Sequence, residues 1–179
     1  MYSLFQYTKK TSLKDQKIYK LFFLTFIFFL FSYSTASSQN TNNADLLEHA
    51  AQQTRDDQYD SSIAIIKQVQ TRLDTSKNNP LYAKSFQVLA ENFMNTSEYK
   101  KADSVLYIGN NILQQLSGNH SLLLADYYHT ISRNLGAQNK YDAALSFEKK
   151  AFDIWTSVYG ENHPLIASSL SQIVFNMRL

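Results

Sequence analysis

Apolar residues recur along this chain at an interval of 42 residues. Three sets keep the spacing: Ala83, Ala125 and Ala167; Leu81, Leu123 and Leu165; and Leu89, Ile131 and Ile173. Tyr99 and Tyr141 repeat it in another part of the unit. Self-similarity at a fixed period of about 20–50 residues is typical of solenoids, in which each unit buries its apolar face only against its neighbours. The pattern therefore predicts a solenoid, a class of protein that mostly binds other proteins.

Each unit is predicted to contain two helices. In the central unit, apolar residues at intervals of three and four mark one face of the first helix: Leu124, Tyr127, Tyr128, Ile131 and Leu135. The second helix starts at Tyr141, after the polar break GAQNK. Small residues recur where the two helices of a unit should touch: Ser62, Ala102 and Ala144, each three residues after a tyrosine, and then Gly109 and Ala151.

Proline, asparagine and glycine mark the predicted helix ends. Pro80 and Pro164 suit a first helical turn, where the missing N–H carries no penalty, and Asn79 is a predicted N-cap. Gly118 and Gly160 follow long helical patterns, where a residue in the left-handed conformation can cap the helix.

These signals divide the chain into successive units. They are a degenerate first repeat at 44–77, a second repeat at 78–119, a third repeat at 120–161, and the first helix of an incomplete fourth repeat at 162–179. The first unit is degenerate because His49 and Gln53 stand where the second unit has Leu89 and Phe93. A polar outer face is what the terminal capping helix of a solenoid requires.

Residues 1–38 have the organisation of a signal peptide. A lysine-rich start is followed by an 11-residue apolar run at 21–31 (LFFLTFIFFLF), and small residues precede Gln39. An uncleaved membrane anchor is the alternative, but a spanning helix needs about 17–25 apolar residues. We therefore predict a cleaved export signal that leaves a polar remnant at 39–43.

Removal of the leader changes the charge of the chain. The whole chain has a net charge of +2, but the leader holds five of the 17 basic and one of the 15 acidic residues, which leaves 12 basic and 14 acidic residues. No cluster of lysine or arginine remains to follow a phosphate backbone, so we expect no nucleic acid partner. The absence of cysteine excludes disulfides, thiolate metal sites and a cysteine nucleophile.

Residue types with catalytic or metal-binding chemistry are present, but not in the arrangements that such chemistry needs. The histidines, which are His49, His120, His129 and His163, have no partner at a metal-ligand spacing such as H-x-x-x-H. We interpret them as solvated or capping residues, with His129 facing outward from a first helix. The sequence has no nucleophile elbow and no glycine-rich phosphate loop. We therefore predict no metal, no cofactor and no enzymatic activity.

The units resemble tetratricopeptide repeats, and their 42-residue period resembles that of the kinesin-light-chain type. The residues that carry the resemblance are Tyr141-x-x-Ala144, Ala151, the loop GENHP at 160–164, Ala167 and Leu170. The chain departs from the family pattern at Glu148, where an aromatic residue is usual, at Ser97 and Asn139, where glycine often turns the chain, and at Val69, where a small residue is expected.

The resemblance implies an all-α, right-handed superhelical solenoid of antiparallel helix pairs with about three and a half repeats. It also implies that the first helices of successive units line a concave groove for a protein or peptide partner. Carried over by register, the groove residues are Lys84, Gln87, Glu91, Asn95, Asp126, His129, Arg133, Ser168 and Ser171. One subgroup of the family clamps C-terminal carboxylates on this face. Only His129 and Arg133 echo its residue pairing, so a carboxylate clamp is not expected.

The leader and the habits of the family together predict an exported, non-catalytic scaffold in the periplasm or outside a bacterial cell. The alternative is that the chain is the N-terminal sensing or scaffolding part of a larger protein. Similar repeats often precede caspase-like protease domains or histidine kinases.

The predicted last helix, at 164–178, has more apolar residues than one neighbouring helix can cover. One side of it can pack against 144–159, and the other side is left without a partner in the sequence. Ile166, Leu170 and Ile173 are therefore predicted to form a docking surface, for self-association or for a partner protein.

Overall fold

The computed structural model describes residues 42–73, 79–116 and 121–177, together with Phe23, Thr25 and Phe26. The last three are helical, but the signal peptide and its cleavage point otherwise lie outside the described residues, as do Gly118 and His120. Asn43–Leu179 form one compact unit. Its helices are α1 (42–55), α2 (Tyr59–Leu73), α3 (Pro80–Asn95), α4 (Tyr99–Gln115), α5 (Ser121–Ala137), α6 (Tyr141–Tyr159) and α7 (Pro164–Met177).

From α2 onward, each helix packs against the next one in the sequence. The first helices of successive units also contact one another, α3 with α5 and α5 with α7. No strand occurs in the described ranges. The compact unit is therefore the all-α repeat solenoid that the 42-residue pattern predicts.

The core is divided into successive layers along the solenoid, each built from neighbouring helices. The first layer joins α1, α2 and α3 around Ile66 and Val69. The second joins α3, α4 and α5 around Ala90, Leu106 and Tyr127. The third packs α5, α6 and α7 around Ala125, Ala151, Trp155 and Ile166. This layering is the solenoid property that makes each unit depend on its neighbours for burial.

The predicted helix ends are confirmed where they are described. The Asn79 side chain accepts a hydrogen bond from the Leu81 backbone N–H at 2.8 Å, with Pro80 as the first helical residue. At the end of α6, Gly160 adopts a φ of +75°, a left-handed value that glycine reaches without a Cβ penalty. His163 is a capping histidine, because its Nδ1 accepts from the Leu165 N–H at 3.3 Å.

A repeated left-handed residue turns the chain between the two helices of each unit. The φ angles are +59° at Asp57, +61° at Ser97 and +62° at Asn139. Asp57 and Asn139 each accept a hydrogen bond at 2.6 Å from the hydroxyl of a tyrosine two residues later. Aspartate and asparagine tolerate this conformation because a short polar side chain can bond locally.

Ser97→Gly is expected to stabilise the protein. Serine in a left-handed conformation costs about 1–2 kcal/mol, whereas glycine loses about 0.5–1 kcal/mol through the greater entropy of its unfolded chain. We expect a rise in the melting temperature of about 2–4 °C, measured by circular dichroism. Asn139→Gly is the matched control: it relieves the same turn but removes the acceptor for Tyr141, so it should not stabilise.

Three asparagines at the 42-residue interval, Asn92, Asn134 and Asn176, are buried and were not recognised as a repeat from the sequence. Each donates its amide N–H groups to the preceding unit. Asn92 donates to the hydroxyls of Thr54 and Ser62, Asn134 to the Asp103 carboxylate at 2.6 Å, and Asn176 to the Ser132 hydroxyl. These bonds connect the units through polar contacts inside the core.

Candidate functional site

The nine predicted groove residues lie on α3, α5 and α7, the first helices of their units, and we call them the first-helix face. Because α3 contacts α5 and α5 contacts α7, the nine residues lie on three neighbouring helices. Asn95, Arg133, Ser168 and Ser171 are exposed. Lys84, Glu91, Asp126 and His129 are half-buried, and Gln87 is buried.

The expectation that Gln87 is exposed is wrong, since only 4% of its surface is accessible. Its side-chain N–H groups donate to the Thr130 hydroxyl at 2.9 Å and to the Asp126 carbonyl oxygen at 3.3 Å. Its carbonyl oxygen accepts from the Lys84 ammonium at 3.0 Å. Gln87 therefore connects α3 to α5 and holds Lys84 at the edge of the face.

The interpretation of His129 as an outward, solvated residue is also wrong. Its Nδ1 lies 3.0 Å from both carboxylate oxygens of Glu148, which is fully buried. Ser169 of α7 donates its hydroxyl to the same carboxylate. Glu148 stands where the family usually has an aromatic residue, and here it connects α5, α6 and α7 through polar contacts.

The group formed by Ser169, Glu148 and His129 does not have the geometry of a serine nucleophile. In a Ser-His-Asp triad the histidine lies between the serine and the acid and takes the serine proton. Here the carboxylate lies between the serine and the histidine, and both Ser169 and Glu148 are buried. The group is a structural connection between helices.

Two half-buried carboxylates, Glu91 on α3 and Asp126 on α5, determine the electrostatics of the first-helix face. Burial raises the pKa of both groups above their ordinary values. Nearby positive charge opposes this shift, from Lys84 and Arg133 at Glu91 and from Lys84 at Asp126. Neither carboxylate has an ion-pair partner within 4 Å in the part of the chain that the structure describes. The face thus holds partly desolvated negative charge that the protein itself does not fully compensate.

Glu91→Gln is expected to raise the melting temperature at pH 7. The ordinary carboxyl pKa is 4.5 and burial raises it in the folded state, so folding is opposed at any pH where Glu91 is ionised. Below the ordinary pKa both states are protonated, so the penalty is absent and the variant gains nothing there. Thermal melts at pH 7 and near pH 4 test this, with Glu161→Gln as the exposed control, which should change little at either pH.

The described residues contain neither a cluster of metal-ligand side chains nor a helix with the features of a membrane span. No group of three or more histidine, cysteine, aspartate or glutamate side chains lies together there as metal ligands would. His49 instead lies 3.3 Å from the Gln53 amide on the exposed side of α1. Across the same residues, no helix combines the length and the apolar character needed to cross a bilayer.

Only one of the three residues predicted to form the docking surface on α7, Leu170, is exposed. Ile166 is 3% exposed and packs in the core with Ala125, Ala151 and Trp155, so it cannot contact a partner. Ile173 is half-buried, and Leu170 is 48% exposed. The exposed apolar residues of α7 are Ala167, Leu170, Val174, Phe175 and Met177. The error arose because the sequence pattern did not show which side of α7 packs on α5 and α6.

Comparison with known proteins supports the repeat assignment. Residues 124–165 match the sequence profile of the tetratricopeptide repeat. Two solved structures of a kinesin-light-chain-type protein of Podosopora anserina with nearly identical TPR-like repeats, one of them a point variant, are each 18% identical to this chain. They superpose with TM-scores of 0.63 and 0.64 and cover 74% of this chain, which spans 64% of their length. No curated protein matches the chain significantly. Residues 124–165 thus match the tetratricopeptide repeat, and the chain has the solenoid fold of kinesin-light-chain-type repeats, as its resemblance to that family implied.

Proposed function

We propose that the chain is an exported protein–protein interaction module that holds a partner on its first-helix face and has no catalytic activity of its own. Tetratricopeptide repeats generally bind proteins, which supports the coarse function. The feature of this chain that carries the proposal is the pair of half-buried carboxylates, Glu91 and Asp126, on two successive first helices.

These carboxylates favour binding because they destabilise the free protein. An ionised group that loses water without gaining a full set of partners raises the energy of the folded state. Donor groups of a partner segment that lies across α3 and α5 would replace the missing interactions. The exposed Asn95 and Arg133, on the same helices, supply further polar contacts at the edge of the site.

Site-specific photo-crosslinking in the producing cells tests this proposal. A photoreactive amino acid at Asn95 or Arg133 should give a discrete adduct with one protein. The same amino acid at Lys100 or Asp142, which are exposed on the second helices α4 and α6, should not. With the purified partner, Glu91→Gln combined with Asp126→Asn should weaken binding at least about tenfold. Equal adducts from both sets of positions, or unchanged binding by the double variant, would contradict the assignment of the face.

Export is proposed from the leader, and it is tested separately. The mature protein should begin within a few residues of Gln39 and be recovered outside the cytoplasm. N-terminal sequencing of the chain from fractionated cells measures both. Recovery of the intact chain from Met1 in the membrane fraction would favour the uncleaved anchor instead.

A further inference from the structure

One side of α7 carries an uncovered row of apolar residues, Ala167, Leu170, Val174 and Met177, which we call the α7 ridge. All four are exposed, with 48% of Leu170, 47% of Val174 and 67% of Met177 accessible. Leu170 and Val174 also line an open surface depression with Ser171 and Phe175. The ridge is therefore accessible along most of the helix.

The same positions are covered in the two preceding units. The equivalents of Ala167 are Ala83 and Ala125, and both have no accessible surface. The equivalents of Val174 are Ala90 and Ser132, which are also fully buried. Ala83 and Ala90 belong to a cluster with Ala102, Leu106 and Leu113 of α4, and Ala125 clusters with Ala151 and Trp155 of α6. In the two preceding units, the positions equivalent to Ala167 and Val174 are thus covered, whereas on α7 they are exposed.

The spacing and the charge of α7 allow a second copy of the same helix to cover it. The four ridge residues follow one another at intervals of three, four and three, which is the a/d spacing of a coiled-coil seam. α7 has no charged residue between Pro164 and Met177, so two copies bring no like charges together. Two-fold pairing also covers the ridge of both copies in a single contact, as an isologous interface does.

We propose that the chain forms a homodimer in which the α7 ridges of two copies pack against each other. The interface is small, because a helix of 14 residues is only about 21 Å long. It falls below the area of about 1,200–2,000 Å² that stable complexes bury, so a dissociation constant of roughly 1–100 µM is expected. The dimer brings two first-helix faces into one assembly.

Sedimentation equilibrium tests the dimer on the chain from Gln39 onward, which contains the whole compact unit. Across loading concentrations of about 1–500 µM, the average mass should rise from that of one copy toward that of two. Leu170→Glu combined with Val174→Glu should raise the dissociation constant at least about a hundredfold, because it places four charges in the apolar seam. The helical circular dichroism signal should remain unchanged, since both side chains are exposed.

The matched control is Tyr107→Glu combined with Val158→Glu. These residues lie on α4 and α6 and are 69% and 48% exposed, so the control removes as much exposed apolar surface away from the ridge. It should leave the dimer intact. A wild type that stays monomeric over the whole concentration range, or equal dissociation by both double variants, would overturn the proposal.

Whether the two α7 helices pair in parallel or antiparallel can be determined with variants that carry a single cysteine, because the chain has no cysteine of its own. Under oxidation, a parallel dimer should crosslink Leu170→Cys to itself, and an antiparallel dimer should crosslink Leu170→Cys to Val174→Cys of another chain. Either disulfide, lost on dilution below the dissociation constant, supports pairing through the ridge. The absence of both disulfides at high concentration contradicts it.

Discussion

Gly109→Ala is expected to lower the free energy of unfolding by about 3 kcal/mol or more, although it adds a single methyl group. A Cβ atom at Gly109 would overlap the hydroxyl oxygen of Tyr127 and would lie 2.5 Å from its Cζ. Tyr127 cannot move aside, because it has no accessible surface and its hydroxyl donates to the Ala83 carbonyl oxygen. Chemical denaturation followed by circular dichroism measures the loss.

Gly136→Ala provides the matched control on the neighbouring helix. A Cβ atom there would lie 3.2 Å from Oδ1 of Asn176, and that contact can relax through a small movement of a side chain. Alanine also favours the helix over glycine by about 1 kcal/mol. Gly136→Ala should therefore be close to neutral. If the two variants lose similar stability, the close packing of Gly109 against Tyr127 is wrong.

A second substitution should rescue the first if the contact with Tyr127 is the cause. Adding Tyr127→Ser to Gly109→Ala removes the ring that the new methyl group meets. The loss caused by Gly109→Ala should then be much smaller in the Tyr127→Ser background than in the wild type. The double-mutant cycle isolates this coupling from the stability that Tyr127→Ser itself loses.

Helices, their order and their ends could be predicted from the sequence, because each has a local signal. Pro80, Asn79 and Gly160 act through their own backbone geometry, and the structure places them where those signals require. The 42-residue interval also shows how the units correspond to one another, because residues that are 42 positions apart occupy equivalent places in successive units. The turn positions Ser97 and Asn139 were indicated by the family resemblance, in which glycine often stands there, and both have a positive φ.

The size of the residue at each helix crossing could not be predicted, because it depends on a partner in the next helix. By register, Val69 corresponds to Gly109 and Ala151, and Tyr127 corresponds to Ser85 and Ser169. Glycine on the second helix of the middle pair is matched by the large Tyr127 on the next first helix, which lies directly against Gly109.

The polar residues of the candidate site were placed less accurately, for a related reason. A three- and four-residue pattern treats every polar position on a first helix as exposed. Gln87 and His129 are instead covered by polar partners, Thr130 and Glu148, from other helices. The same inference was correct for Arg133, which is exposed. Burial of a polar residue depends on tertiary pairing, which periodicity along one helix does not contain.

Ala144→Arg is expected to remove a large part of the stability of the protein. Ala144 has no accessible surface and lies three residues after Tyr141 on α6, a helix that packs against both α5 and α7. Arginine at this position either forces the helices apart or leaves a charge buried without a partner, at an expected loss of about 4 kcal/mol. Domains of this kind are stable by only about 5–15 kcal/mol in total. Thermal melting followed by far-UV circular dichroism should therefore show a much lower transition temperature.

Ala143→Arg controls for the charge, the length and the helix propensity of the new side chain. Ala143 precedes Ala144 on the same helix, but it is exposed, so its arginine can extend into water. This variant should melt within about 2 °C of the wild type, because exposed substitutions change stability by only about 0.5 kcal/mol. Since both variants carry the same side chain at adjacent positions, only the orientation of α6 separates them. Similar melting temperatures would mean that α6 presents a different side to α5, which would also remove the basis for placing Glu148 between α5 and α7.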